Sequence, residues 1–115
     1  MSFKEKYDFE LLVNEMENAV FEELEKQLSE DKENKICKCQ DCILDMAAFA
    51  LNNLKPAYRS SLTGRIYSQR LYDGQEKLEI EKIVKIAIEK ISKNPSHNLW
   101  KKLNNLNIEK NIYEW

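Results

Sequence analysis

The sequence predicts an all-α fold, mainly helical, with three to four helices and one short extended segment. The chain of 115 residues contains only two glycines and two prolines, which argues against a turn-rich β fold and favours long helices. Apolar residues also recur at spacings of three and four along most of the chain, the period of an amphipathic helix. The length fits a single domain over residues 1–115, with its core at about 8–106.

The first helix is predicted over residues 8–29. One face of it is apolar and is formed by Phe9, Leu12, Val13, Met16, Val20, Leu24 and Leu28. Most positions between them are acidic, namely Glu10, Glu15, Glu17, Glu22, Glu23 and Glu25. We interpret this acidic run as a solvated helix face.

The second helix is predicted from about Asp41 to Leu54 and is apolar nearly all round. Such a helix is usually central, with neighbours on more than one side. Lys55-Pro56 ends it, because the residue before a proline is disfavoured in the helical region. Residues 57–64 then form a short connection that holds the extended segment.

The third helix is predicted from Ile66 to Lys93, with a break near Asp73-Gly74 and an end at Asn94-Pro95. Its apolar face is formed by Ile80, Ile83, Val84, Ala87, Ile88 and Ile91. A last short helix is predicted to begin at Ser96, with Leu99, Trp100, Leu103 and Leu106 directed inward.

No stretch of about 18 apolar residues occurs, so we expect no membrane insertion. The charged start, MSFKEKYDFE, lacks the apolar segment of a secretory signal. We therefore expect a cytoplasmic protein whose three cysteines stay reduced. An odd number of cysteines within six residues also argues against an intrachain disulfide framework.

The cysteines have the pattern C-x-C-x-x-C, formed by Cys37, Cys39 and Cys42 at a junction of loop and helix. A helix N-terminus favours thiolates, and a structural zinc ion takes four tetrahedral ligands. The three cysteines supply three of these ligands, so the fourth ligand must come from elsewhere. The candidates are His97, which is the only histidine, Asp41, Asp45, a partner subunit or water. The alternative interpretations are a set of reduced, partly buried thiols and an iron–sulfur cluster, which is less favoured because its usual site has four cysteines. We expect Asp45 to bond a neighbouring loop or to orient a cysteine.

The Arg/Tyr segment, residues 55–72, contains Lys55, all three arginines of the chain and no Asp or Glu. A guanidinium group meets phosphate with two hydrogen bonds, and a tyrosine ring can stack on a base. The composition therefore favours a phosphate-bearing aromatic ligand such as a nucleotide. The predicted ligand-binding residues are Tyr58, Arg59, Arg65, Tyr67 and Arg70.

Other interpretations of these residues remain. The arginines could pair with the acidic first helix, within the chain or across a dimer. Long nucleic acid is disfavoured, because the net charge is −2 and the acidic helix would repel a polyanion. With glycine only at positions 64 and 74 there is no glycine-rich phosphate loop. Since no paired catalytic acids occur in a recognisable setting, we do not expect an enzyme.

The run from Cys37 to Tyr58, CKCQDCILDMAAFALNNLKPAY, resembles the signature of the ComFB (late competence development) family. That signature is roughly C-x-C-x-x-C-x-x-D-[IV]-x-A-x-A-L-N-x-L-P-P-x-Y. A second family pattern, G-x-x-Y…A-[IV]…N-P-x-H, is matched by Gly64, Tyr67, Ala87, Ile88, Asn94, Pro95 and His97. The two motifs occur in the family's order, so the resemblance extends over about residues 10–98.

The resemblance implies a small α-rich homodimer whose cysteines hold a structural zinc ion. It also suggests a receptor for the second messengers cyclic di-GMP or cyclic di-AMP, with a role in competence or surface motility. Lys55 replaces the first proline of the usual pair, and Arg59 stands where valine is common; both changes add positive charge and leave the ligand preference open. The alternative is a protein-interaction adaptor that docks through the apolar face of the first helix and the tail from Trp100 to Trp115.

Overall fold

The structure is a computed structural model that describes residues 2–60, 71, 73–95 and 97. In this part of the chain the fold is mainly helical, with one two-stranded antiparallel sheet, as the sequence predicts. The elements in chain order are α1 (Phe3–Lys6), a 3-10 helix (Phe9–Leu11), β1 (Val13–Asn14), α2 (Glu15–Ser29), α3 (Gln40–Asn52), β2 (Tyr58–Arg59) and α4 (Gln75–Lys93).

Helix α2 begins at Glu15, so the prediction of a helix from residue 8 is wrong at its start. The side chain of Asn14 caps α2 by accepting a hydrogen bond from the Met16 N–H at 3.2 Å. The same oxygen accepts from the Ala57 N–H at 2.7 Å. Residues 13 and 14 are extended because they pair with β2, so Phe9 and Leu12 upstream of them are not part of α2 and lie in or beside the 3-10 helix Phe9–Leu11.

Helices α2, α3 and α4 pack against one another around a single apolar core. Helix α3 contacts both other helices and so has neighbours on more than one side, as predicted, and α2 and α4 also contact each other. The buried apolar residues are Met16, Ala19, Val20, Leu24, Leu28, Cys42, Met46, Ala47, Ala50, Leu54, Leu71, Ile80, Val84, Ala87, Ile88 and Ile91. Burial of this apolar surface is the main stabilising contribution to the bundle.

The predicted ends of α3 and α4 agree with the structure where it describes them. Helix α3 lies within two residues of the predicted range at each end. Helix α4 begins directly after Gly74, whose φ of +105° is a conformation that side-chain-bearing residues rarely adopt. It ends at Lys93, before Asn94-Pro95. Residues 66–70 and the predicted last helix lie outside the described residues, apart from His97.

Most acidic residues of α2 are exposed, but Glu15 is buried and the interpretation of a wholly solvated acidic face is wrong there. A hydrogen-bonded ion pair joins the Glu15 carboxylate to the Arg59 guanidinium, and the two side chains are 10% and 25% exposed. A carboxylate with so little exposure requires a partner. The pair therefore connects the start of α2 to β2.

The apolar face of α2 belongs to the core. It is therefore not available to bind a protein partner. The prediction that an adaptor docks through the apolar face of this helix is wrong for α2. Among the described residues, every helix is too short or too polar to cross a lipid bilayer.

Candidate metal centre

The loop between α2 and α3 is organised around the side chain of Asp31. Its carboxylate accepts hydrogen bonds from the Lys35 N–H at 3.1 Å, the Ile36 N–H at 2.9 Å and the Lys38 ammonium at 2.7 Å. The bond from Lys38, followed by the one from Ile36, lowers the pKa of Asp31 from 3.8 to about 2. The carboxylate is therefore charged across the physiological pH range.

Asn34 forms the tight part of this loop. Its φ is +54°, a left-handed conformation that asparagine tolerates better than most residues. Its N–H donates to the Asp31 carbonyl at 3.2 Å, and its side-chain oxygen accepts from Lys38 Nζ at 3.1 Å. Cys37 follows this turn, three residues after Asn34.

Cys39 is the N-cap residue of α3. Its Sγ accepts a hydrogen bond from the Cys42 N–H at 3.4 Å. This backbone bond, followed by a bond from the Cys37 side chain, lowers the pKa of Cys39. Cys39 is exposed. The helix N-terminus thus presents a thiol that ionises more readily than a free cysteine, as the sequence predicts.

Cys42 lies in the first turn of α3 and belongs to the core, with an exposure of 0%. Burial, with smaller contributions from the Cys39 and Cys37 side chains, raises the pKa of Cys42 to about 12. Without a cation this thiol is protonated at neutral pH. A metal ion in contact with its sulfur would remove the proton.

His97 completes the group from the far end of the chain. Its Nε2 lies 3.6 Å from Cys37 Sγ. The three sulfurs and a ring nitrogen of His97 all lie within 4.8 Å of one another. The predicted ligand set Cys37, Cys39, Cys42 and His97 is therefore brought together, and it could hold a metal ion.

The spacing of these atoms fits tetrahedral zinc. Zinc bonds of about 2.3 Å to sulfur and about 2.0–2.1 Å to nitrogen place S and N about 3.6 Å apart, and two sulfurs about 3.8 Å apart, at the tetrahedral angle. The observed S···N distance is 3.6 Å, and the largest separation in the group, at most 4.8 Å, would shorten by about 1 Å on binding. Three thiolates and one imidazole are also a ligand set of structural zinc sites.

The other two fourth-ligand candidates on the chain are not in this group. Asp41 is exposed, and Asp45 is half-buried on α3. The group of four side chains that could hold a metal ion among the described residues includes neither carboxylate. The supporting role predicted for Asp45 stays a prediction.

Part of the Arg/Tyr segment lies within the described residues. Tyr58 is 62% exposed, and Lys55 is also exposed. Arg59 is paired with Glu15. For this residue the structure therefore agrees with the alternative interpretation, in which the arginines pair with the acidic first helix. Arg65, Tyr67 and Arg70 lie outside the described residues. The ligand-binding role of these five residues stays a prediction.

The sequence does not predict the roles of Asp31 and Glu15. Both stand in runs of charged residues, where a bonded carboxylate resembles its solvated neighbours. A weak indication existed for Asp31, since an aspartate at a helix end often accepts from backbone N–H groups of the following turn.

The fold and the site define a class: a small, mainly helical protein with a candidate metal centre of three cysteines and one histidine. The chain belongs to the ComFB family, because the sequence profile of "Late competence development protein ComFB" matches residues 13–95. This confirms the resemblance found in the cysteine motif. The matched range includes all three cysteines and ends two residues before His97.

A solved structure supports the same assignment. The late competence protein ComFB from Bacillus subtilis is 28% identical in sequence and superposes with a TM-score of 0.59. The similarity covers 73% of this chain and 93% of that one. No curated protein sequence matches the chain.

Proposed function

We propose that this ComFB-family chain is a non-enzymatic regulatory protein that holds one structural zinc ion at Cys37, Cys39, Cys42 and His97. The grouping of these four donor atoms within 4.8 Å is the observation that carries the proposal. A zinc ion there would join the loop before α3, the first turn of α3 and the chain beyond α4. Such a cross-link stabilises a small fold whose core is limited by its size.

The zinc proposal is tested by thermal unfolding of the full chain. Zinc added to metal-free protein should raise the melting temperature by mass action, and a chelator should reverse the rise. Mg²⁺ is the matched control, since it prefers oxygen ligands and should have no effect. A melting temperature that responds to neither zinc nor chelator would contradict the proposal.

We further propose that the Arg/Tyr segment of a homodimer binds cyclic di-GMP or cyclic di-AMP, and so links the protein to competence or motility. Tyr58 is 62% exposed on a strand whose position is set by Asn14 and by the pairing of Val13 with Arg59. Such a ring is available for stacking on a base. A two-fold ligand also suits a two-fold dimer, because each subunit offers the same surface.

Calorimetry with both cyclic dinucleotides tests this second part. We expect saturable binding by the natural chain, loss of most of it in Arg65→Ala, and about a tenfold weakening in Tyr58→Ala, the loss of one stacked base. Tyr7→Ala is the matched control, because Tyr7 is 58% exposed elsewhere on the chain. The absence of heat with either nucleotide at high micromolar concentration would exclude the receptor function.

The alternative function, a protein-interaction adaptor, is favoured by one observation. The rings of Phe3, Tyr7 and Phe9 contact one another at the surface, with centroids 5.0 Å apart for Phe3–Tyr7 and 5.8 Å for Phe3–Phe9. Exposed Leu11 and Leu12 follow, and exposed apolar patches often mark protein contacts. In that case a protein partner would be lost in Phe3→Ser/Phe9→Ser and retained in Arg65→Ala.

A further inference from the structure

The Asp31 carboxylate binds groups on both sides of Cys37. It accepts from the Ile36 N–H at 2.9 Å on one side and from the Lys38 ammonium at 2.7 Å on the other. Lys38 Nζ also contacts the Ile36 carbonyl at 3.4 Å. The residues before and after Cys37 are thus fixed to one carboxylate.

Cys37 needs such support more than Cys39 and Cys42 do. Cys39 and Cys42 are set by the first turn of α3, and Cys42 is also packed in the core. Cys37 lies in the loop and is exposed, so apolar packing does not place it. Its position depends on the hydrogen bonds of the loop, and three of those in the described residues are accepted by the Asp31 carboxylate.

We propose that Asp31 is the positioning residue of the metal centre, holding the Cys37 loop in its ligating geometry before the ion arrives. The proposal rests on the zinc function proposed above. Preorganisation raises affinity because the ordering of the loop does not have to occur on binding. Groups that orient metal ligands from outside the coordination sphere act in this way.

Glu33 provides a matched control in the same loop. It carries the same charge and pairs with Lys35 at 2.6 Å, but the two side chains are 76% and 72% exposed. Exposed pairs of this kind contribute little. Glu33→Gln therefore removes the same charge as Asp31→Asn without releasing the backbone around Cys37.

The test is competition for zinc between the full chain and a chromophoric chelator. Asp31→Asn should weaken zinc binding by roughly 10–100-fold, and Glu33→Gln should stay within about twofold of the natural chain. The Co²⁺-loaded Asp31→Asn protein should also lose part of its thiolate-to-metal absorption, a change that a purely stabilising role would not produce. Lys38→Met is a second variant that keeps the backbone bonds, and its loss of affinity should be smaller.

The possible failures are distinguishable. If the natural chain binds no zinc, the proposed zinc function fails and the role of Asp31 fails with it. If the natural chain binds zinc and Asp31→Asn binds it equally well, with an unchanged Co²⁺ spectrum, the metal site stands and the positioning role is overturned.

Discussion

The Sγ of Cys37 and the Nε2 of His97 lie 3.6 Å apart, although 60 positions separate the two residues in the sequence. This contact joins the loop before α3 to the chain beyond α4. Because 3.6 Å is also about the distance between sulfur and nitrogen ligands of a tetrahedral zinc ion, the two side chains could bind one ion together.

His97→Ala should weaken zinc binding at least about tenfold, since a structural site with three protein ligands is incomplete. His97→Cys should recover most of the affinity, because four thiolates also make a structural zinc site. Competition titration with a chelator measures both variants. Equal affinity in His97→Ala and the natural chain would remove His97 from the site.

In metal-free protein at neutral pH, Cys39 should be alkylated well before Cys42. The pKa of Cys39 is lowered, whereas that of Cys42 is raised to about 12 and its side chain is buried, and the thiolate is the reactive form. Mass spectrometry of iodoacetamide-treated peptides measures the order. Zinc should protect all three cysteines, and equal rates for Cys39 and Cys42 without metal would contradict the described environment.

Glu15→Gln should lower the free energy of unfolding by about 2 kcal/mol, because it leaves the Arg59 cation without its charged partner. The value lies below the ~3–5 kcal/mol of fully buried pairs, since the Arg59 side chain is 25% exposed. Urea unfolding measures it. Glu17→Gln, an exposed change in the same helix turn, is the control and should shift the free energy by less than about 0.5 kcal/mol. Equal effects of the two variants would refute a specific role for the pair.

The Asp31 interactions should stabilise the protein above about pH 4 and be lost as the pH falls towards 2. The sign follows because the pKa of Asp31 is lowered on folding, from 3.8 to about 2, so the folded state favours the charged carboxylate. Carbon NMR of the Asp31 carboxyl should give a midpoint near 2. Lys38→Met should move that midpoint upward, since Lys38 is the largest cause of the shift. A midpoint near 3.8 in the natural chain would show that the bonds are absent.

The sequence predicts well the helices whose ends are marked by a nearby glycine or proline. Gly74 lies directly before the start of α4, Pro95 lies just after its end, and Pro56 follows the end of α3. The start of α2 could not be predicted in this way. Phe9, Leu12 and Val13 continue the helical spacing, but Asn14 caps the helix and also bonds Ala57, a contact across 43 positions that periodicity does not reveal.

The candidate site also contains one part that local sequence predicts and another that depends on long-range contacts. The three cysteines are adjacent in sequence, so their grouping follows from local geometry, and His97 was a candidate because it is the only histidine. Its approach to Cys37 depends on the packing of α3 against α4. The roles of Asp31 and Glu15 were not predicted, because they arise from hydrogen bonds with the Ile36 N–H and the Arg59 guanidinium, which the pattern of charged residues does not reveal.

The proposed site predicts that the purified chain carries one zinc ion on Cys37, Cys39, Cys42 and His97. Elemental analysis of the untagged protein, combined with a count of titratable thiols, measures this zinc content. We expect about one zinc per chain and three thiols that react only after the metal is chelated. Protein without stoichiometric zinc, in which the exposed Cys37 and Cys39 react at once and added zinc does not protect them, would contradict the account.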